Sequence, residues 1–571
     1  MSQKPAVAVL AAALLGFYGP FATPLLAAGD PDFGPNVLVF DPATPNIQET
    51  ISAIGKKQDA AEFGPGRFAY LFKPGKYSLT IQVGFYMQVA GLGMSPDDVS
   101  IAGDLYSTAD WKKGNATCNF WRAVENLAIN PNKAKGTVGW AVSQGTAVRR
   151  LHVQGNLRLF DGGWSSGGFL ADSKVDGNVV PGSQQQWLSR NSDFNAWKGG
   201  VWNIVFVGCP HAPADAWPKP PYTTVAETPV IREKPFLCLS SSGEYQVMVP
   251  ELSTKSVGTT WGKGAGGPSA GKAIPIDQFY IAHDKDTAAT MNAALAAGKN
   301  LLLTPGTYHL EDAIKVTRAD TVVYGLGYPT LNPEKGTPAI TVADVDGVKI
   351  CGILLEAGAV ESPTLLQVGE TGATASHAAD PTSLYDIFAR AGGAVPGSAT
   401  AFVTINSNNV IGDNFWLWRA DHGAGAGWNS NKNKNGLIVN GNDVTCYGLF
   451  VEHSQEYQTL WNGERGRTYF YQSEMPYDPP DTTVWAHSST KGFASYKVAD
   501  NVKSHEAWGL GIYTVFKTPI VGDTAIEIPT APGVQIHHMV CVRLGKGGLN
   551  HVLNATGAAS MGGPKAVLNL N

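Results

Sequence analysis

Two glutamates close apolar runs 22 residues apart: Glu452 in LFVEHSQEY and Glu474 in FYQSEMPYD. Each leads into a polar loop. In stacked β structure, equivalent positions on neighbouring turns lie roughly 4.8 Å apart. If one turn separates the two glutamates, both carboxylates emerge on the same rim. A pair of carboxylates flanking a bond is the minimal equipment for glycoside hydrolysis, one as protonated acid and one as anionic partner. Closely held like charges also raise one of the two pKa values, as a general acid working near neutral pH requires. The same interval separates Gln144 in WAVSQGTAV from Ser166 in WSSGGF. Those positions would set an amide and a hydroxyl side by side, able to hold a water. Acid and water on opposite walls of one cleft is the layout of hydrolysis with inversion.

Around these residues the chain is rich in aromatics. Trp416, Trp418 and Trp428 cluster near FWLWRADHG, and Tyr477 follows Glu474. The apolar faces of sugars stack on such rings, so Trp418, Trp428 and Tyr477 are candidate substrate contacts. Trp416 and Trp418 share one side of a strand by the period of two, which places at least one of them in a core or wall. In GSQQQW, Gln184, Gln185 and Gln186 form a polar ladder between turns or bind sugar hydroxyls, with Gln185 the candidate facing the cleft. Glu464 in NGERGR stands beside Arg465 and Arg467 and reads as an ion-paired turn. Asp421 and His422 are expected to line the cleft or brace its loop, and His505 and Glu506 to contribute to its wall.

The elements that must position these groups repeat. LFKPGKYSL from Leu71 and LLTPGTYHL from Leu302 share an apolar strand, a Pro-Gly step, an aromatic and a short strand, and each is followed by Gly-Leu-Gly. A short helical pattern precedes both. Two copies of one domain follow, at 29–250 and 276–571, joined by a Gly/Ser/Lys-rich linker or long loop at 251–275. Within each copy, short β runs alternate with Asn, Asp and Gly bends at a spacing of roughly 20–30 residues, that of solenoid coils. The expectation is an all-β chain of two tandem right-handed parallel β-helices.

Composition narrows the function. The 571 residues carry a net charge of −5, only 16% charged residues, 66 Gly and 15 Trp. No basic footprint for nucleic acid is present. Lys4, the apolar stretch 5–19 and the small residues of LLAAGD read as a signal peptide over 1–28, so the chain is expected to be secreted, with no membrane partner. The six cysteines form no C-x-x-C pair and none has a histidine at ligand spacing, so neither metal nor cofactor is expected, and most are expected as buried thiols.

Read together, WLWRADHG, GLFVEHSQEYQTLWNGERGRTYFYQSEMPYDPP, GSQQQW and SHEAWGLGIY resemble glycoside hydrolase family 55, the secreted β-1,3-glucanases. The resemblance covers nearly the whole chain after residue 28. It implies two β-helices packed side by side with a cleft between them, and a monomeric enzyme cleaving β-1,3-glucan (laminarin) from a chain end with inversion. It implies Glu474 as general acid, Glu452 as a second essential carboxylate, Gln144 and Ser166 as water-positioning groups, and Trp418 and Tyr477 as stacking residues. Two rival readings share the architecture. A polysaccharide lyase would want cationic side chains or Ca²⁺ ligands on the rim, and a glucan-binding solenoid without catalysis would need no paired carboxylates.

Overall fold

The structure is a computed structural model that describes residues 30–132, 135–262, 270–562 and 565–568. The expected signal peptide lies outside the described residues. Each half opens with a helix, Ile47–Gln58 and Ala288–Ala296, followed by the paired strands that the repeat predicted, Phe68–Phe72 and Asn300–Leu303. The first helix buries Ile47 and Ile51 against the first coil, and the second is capped by the Thr287 hydroxyl accepting from the Thr290 amide.

Both halves are parallel β-helices. One 17-stranded sheet winds through Val37–Val225, while 13-stranded and 9-stranded sheets build the second half. Register keeps identical roles above one another. Ile353, Ile387, Phe415, Leu449, Tyr471, Leu510 and Met539 form one interior column across seven coils. All seven are buried in a single apolar cluster. Seven successive coils of the second half also bend at one register position through a residue of positive φ: Gly352, Asp386, Asn414, Gly448, Phe470, Gly509 and His538. Asn126, Arg150, Asp172, Asn191 and Gly208 do the same in the first. Gly, Asn and Asp tolerate this left-handed conformation best, which explains the sequence's recurrent bend residues. On the outer turns Asn462 donates to Asn440 and Asn440 to Asn406, both at 2.8 Å, an amide ladder that continues from coil to coil.

The bends and the strands beside them face the other half. Here Arg149 pairs with Asp386 at 2.8 Å and Asp413 at 2.6 Å, Arg190 with Asp413 at 2.9 Å, and Lys234 with Asp386 at 2.9 Å, all almost fully buried. These partners hold Asp386 near a pKa of about 2 against the burial that would raise it. Beside the ions, Phe120, Trp121 and Phe169 of the first half pack with Phe388, Trp416, Trp418 and Phe450 of the second.

The stretch expected as a linker or long loop is partly ordered β structure. Leu252–Ser256 pairs antiparallel with Thr228–Arg232, and Gly271–Pro275 with Tyr245–Pro250. Ile274 of this stretch lies in a cluster with Phe33, Val247, Leu302 and Tyr324, which ties the connection to both halves. Its Gly/Ser composition hid the strands, because both are largely exposed and carry no apolar pattern of their own. The six cysteines are all free thiols, five of them buried.

Candidate active site

Glu452 and Glu474 end adjacent strands, Thr445–Glu452 and Gly466–Glu474, and the register pairs them directly. The second strand stops because Met475-Pro476 removes the next amide donor, and Pro479-Pro480 bars a return to the ladder. The two carboxylates thus project from one rim, but into different surroundings.

Glu452 is 3% exposed and saturated with donors. Its Oε1 accepts from Gln144 Nε2 at 2.7 Å and Gln472 Nε2 at 2.6 Å, and its Oε2 from Trp416 Nε1 at 2.8 Å. Burial and the charge of Glu474 push its pKa well above the ordinary value, while the Trp416 and Gln472 hydrogen bonds pull the other way. Glu474 is half-buried and accepts one side-chain bond, from the Tyr477 hydroxyl. Burial raises its pKa to about 7; the Tyr477 bond opposes this and the nearby Asp421 charge adds to it. A carboxyl titrating there is a proton donor at neutral pH.

Gln144 and Ser166 come from the first half. The bond from Gln144 to Glu452 therefore spans the two β-helices. Ser166 Oγ donates to Gln144 Oε1 at 3.4 Å, so a hydroxyl, an amide and a carboxylate form one chain. The loop carrying Ser166 is braced from below. Ser143 Oγ donates to Ala116 O at 2.8 Å and accepts from Ser166 N at 3.1 Å. Gln184 Oε1 accepts from Gly167 N at 2.7 Å, and Gln186 Nε2 donates to Ser166 O at 3.1 Å. Gln185 alternates outward: it is partly exposed, and its amide donates to Ser165 O at 2.9 Å.

Other candidates move. Trp418 is 1% exposed, stacked between Trp416 at 5.0 Å and Phe63 at 6.3 Å, so it is an internal wall and not an open stacking platform. Trp428 is partly buried beneath the Arg419 guanidinium, 5.5 Å from it. Tyr477 is half-buried edge-on to His453 at 4.3 Å and holds the Glu474 carboxyl. Glu464 does not pair with Arg465. It accepts from the Lys503 and Ser504 amides at about 3.0 Å, while Arg465 pairs with Asp443 at 2.7 Å. Two backbone amides of the next coil and a carboxylate of the preceding one thereby replace the expected local ion pair. His505 is buried inside the second β-helix against the Tyr496 hydroxyl, so it is not a wall residue. His422 is held between Asp421 at 3.0 Å and Glu62 at 2.8 Å; burial would lower its pKa, but these bonds raise it to about 9.

Sequence reasoning missed Gln472, the donor role of Trp416 and the brace Ser143, whereas Gln184 and Gln186 take the ladder role between turns that was one of the two expected for them. Gln472 was findable, since period two sets it on the face of Glu474. The metal-capable grouping among the described residues is Glu62, Cys118 and His422, whose ligand atoms lie within 4.8 Å of one another. The Glu62–His422 ion pair and the Lys112 ammonium 2.6 Å from Cys118 Sγ account for it without an ion.

Comparison with known proteins follows this geometry. The model of the LAM55 pectate lyase-like domain matches residues 279–474, ending on Glu474. An exo-β-1,3-glucanase of Streptomyces sp. (strain SirexAA-E / ActE) is 49% identical over 540 residues, covering 94% of this chain and 88% of that protein. The solved structure of sacteLam55A from Streptomyces sp. SirexAA-E superposes with a TM-score of 0.92 at 48% identity, covering 95% of this chain and 99% of that one. A glutamate-to-alanine variant of sacteLam55A in complex with glucose matches equally, with a TM-score of 0.92.

Proposed function

Since the chain belongs to glycoside hydrolase family 55, we propose that it is a secreted, exo-acting β-1,3-glucanase that hydrolyses laminarin-type β-1,3-glucan with inversion. Glu474 is the general acid. Its raised pKa keeps a proton available at neutral pH, and its half-exposed position lets it reach the leaving oxygen. Ser166 and Gln144 hold the attacking water on the opposite wall; as it adds to the anomeric carbon it sheds a proton to bulk water, and Glu474, left anionic by protonating the leaving oxygen, regains one from solvent. Glu452 stands behind the Gln144 amide, buried and bonded to Gln144, Gln472 and Trp416. It orients and polarises the Gln144 amide, which in turn accepts from Ser166.

The observation that carries this reading is the 2.7 Å bond from Gln144 to Glu452, beside Glu474 in register. It puts water-holding groups and a protonated acid in one place, from two different bodies of the molecule. A lyase would need cations at that place, and the rim offers amides, a hydroxyl and carboxylates instead. A binding solenoid would have no cause to bury Glu452 among three donors. The test is hydrolysis of laminarin and of reduced-end-labelled β-1,3 oligosaccharides, followed by NMR of the first anomer released. An α-anomer cut from the non-reducing end is expected. A β-anomer would overturn inversion, and internal cleavage would overturn exo action. Secretion is tested by the mature N-terminus recovered from culture medium, expected near residue 29.

A further inference from the structure

A groove of about 660 Å³ runs over the outward face of the first β-helix, away from the second. Its floor is four adjacent strands, Asp104–Ser107, Thr137–Trp140, Asn156–Arg158 and Lys174–Val180. Leu105, Val138, Leu157 and Val179 point into the core, so the alternate residues point out. Register lines up Tyr106, Gly139, Arg158 and Val180 in one row, and Thr137 beside Asn156 in the next. Gly139 is the gap in its row. A Cβ there would approach only Arg158 Nη2 at 3.6 Å and Tyr106 Cβ at 4.0 Å, so the missing side chain opens the hollow between an aromatic and a guanidinium. Phe160 supplies a second ring.

The chemistry of this lining fits a neutral sugar polymer. Two rings offer stacking faces, and the Tyr106 hydroxyl has no hydrogen-bond partner among the described residues. The cations Lys135 and Arg158 are offset by Asp104 and Asp161, with Arg158 and Asp161 3.7 Å apart, so neither charge sign dominates. The groove is also tied to the catalytic rim by short stretches of chain. The strand ending at Trp140 reaches Gln144 four residues later, and Phe160 precedes Ser166 by six, a span of at most about 20 Å even when fully extended. Between Phe160 and Ser166 stands Trp164, 52% exposed.

We propose that this groove is a second glucan-binding site, which holds a β-1,3-glucan chain on the first β-helix and keeps polymer beside the catalytic rim. The proposal rests on the glucanase reading of that rim. Its test separates the two. Binding to particulate β-1,3-glucan is measured with full-length Glu474→Gln protein, which does not consume the ligand, with and without Tyr106→Ala/Phe160→Ala. Turnover of a β-1,3-linked trisaccharide, too short to span both places, is measured in the otherwise wild-type chain. Loss of the two rings is expected to weaken polymer binding about tenfold and to leave trisaccharide turnover unchanged. Gly139→Leu fills the hollow without removing a ring and is expected to weaken binding similarly, so it decides the matter if the double variant fails to fold. Polymer binding equal to the parent in Gly139→Leu would overturn the groove. Absence of trisaccharide turnover in the wild-type chain would instead overturn the catalytic reading.

Discussion

The first β-helix bends five successive coils at Asn126, Arg150, Asp172, Asn191 and Gly208, and the second bends seven at Gly352, Asp386, Asn414, Gly448, Phe470, Gly509 and His538. Both present a rim on which functional residues recur at an interval of 22. There the likeness ends. The first rim carries the neutral groups Gln144 and Ser166, locked by bonds to backbone and to other neutral side chains. The second carries Glu452 and Glu474, both pushed up by burial, with the Glu474 charge adding to the shift of Glu452 and the Asp421 charge to both. In the proposed mechanism one body supplies geometry and the other supplies protons. The division has a physical logic, because the acid's surroundings are set within the second body and the Gln144–Ser166 pair within the first. Across an interface, donors and acid can be set independently, and the price is a site that exists only when the two bodies are docked.

The sharpest break in this comparison is on the proton-supplying side. Glu474→Gln keeps the shape and removes the acid. A fall in kcat of about 10²–10⁴-fold with little change in KM is expected from steady-state kinetics on laminarin. A substrate with an activated leaving group, needing no protonation, is expected to recover most of it. Equal losses on both substrates would remove Glu474 from the acid role.

Docking is the next point of attack. Arg149→Met leaves Asp386 and Asp413 short of a buried partner, which is expected to cost about 3–5 kcal/mol in denaturant unfolding. Because Arg149 lies in the interface, activity is expected to fall at denaturant concentrations where the β signal is still intact. Gln144→Leu attacks the bond by which the first rim reaches Glu452. It strips Glu452 of one of three donors and is expected to cost about 1–3 kcal/mol of stability, the cost of leaving a buried acceptor unsatisfied. A loss of kcat well beyond that of Ser166→Ala is expected with it, since Gln144 touches both the carboxylate and the hydroxyl.

The contrast in charge also predicts pH behaviour. Asp421 is held anionic near a pKa of about 2; burial would raise it, but the His422 hydrogen bond and the His453 charge outweigh that. Its charge helps raise Glu474. Asp421→Asn is therefore expected to lower the Glu474 pKa and move the basic limb of the kcat/KM profile, expected near pH 7 in the wild type, to lower pH. Stability carries the same sign. A carboxyl whose folded pKa of about 7 exceeds its ordinary 4.5 stabilises the fold fully below pH 4.5 and loses that contribution as pH rises to 7. Relative to wild type, Glu474→Gln is thus expected to gain melting temperature between pH 5 and pH 8.

The repeat, the solenoid and the paired glutamates were legible because a β-helix writes its coil length into the sequence. Residues one coil apart become neighbours, so Glu452 and Glu474 could be matched by counting. What counting cannot supply is contact between the two bodies. The burial of Trp418 depends on Phe63, and the donors of Glu452 include a residue 308 positions away. The strands inside the expected linker were hidden because they are largely exposed and lack an apolar pattern, and the interior place of His505 because its partner Tyr496 lies on another strand. Glu464 failed differently: its neighbours Arg465 and Arg467 suggested a local pair, while the next coil offered amides with better geometry.

That last case gives the smallest expected effect and a clean control for the largest. Glu464 and Glu474 lie on the same coil, ten residues apart, yet one faces the outer turn and the other the cleft. Arg465→Ala breaks only the exposed pair with Asp443 and is expected to cost about 0.2–1 kcal/mol, with kinetics unchanged. Glu464→Gln keeps one acceptor oxygen for the Lys503 and Ser504 amides, so a comparably small loss is expected in thermal unfolding. If either substitution lowered kcat as Glu474→Gln does, proximity along the coil and not placement on the rim would govern activity, and the division of labour between the two bodies would fail.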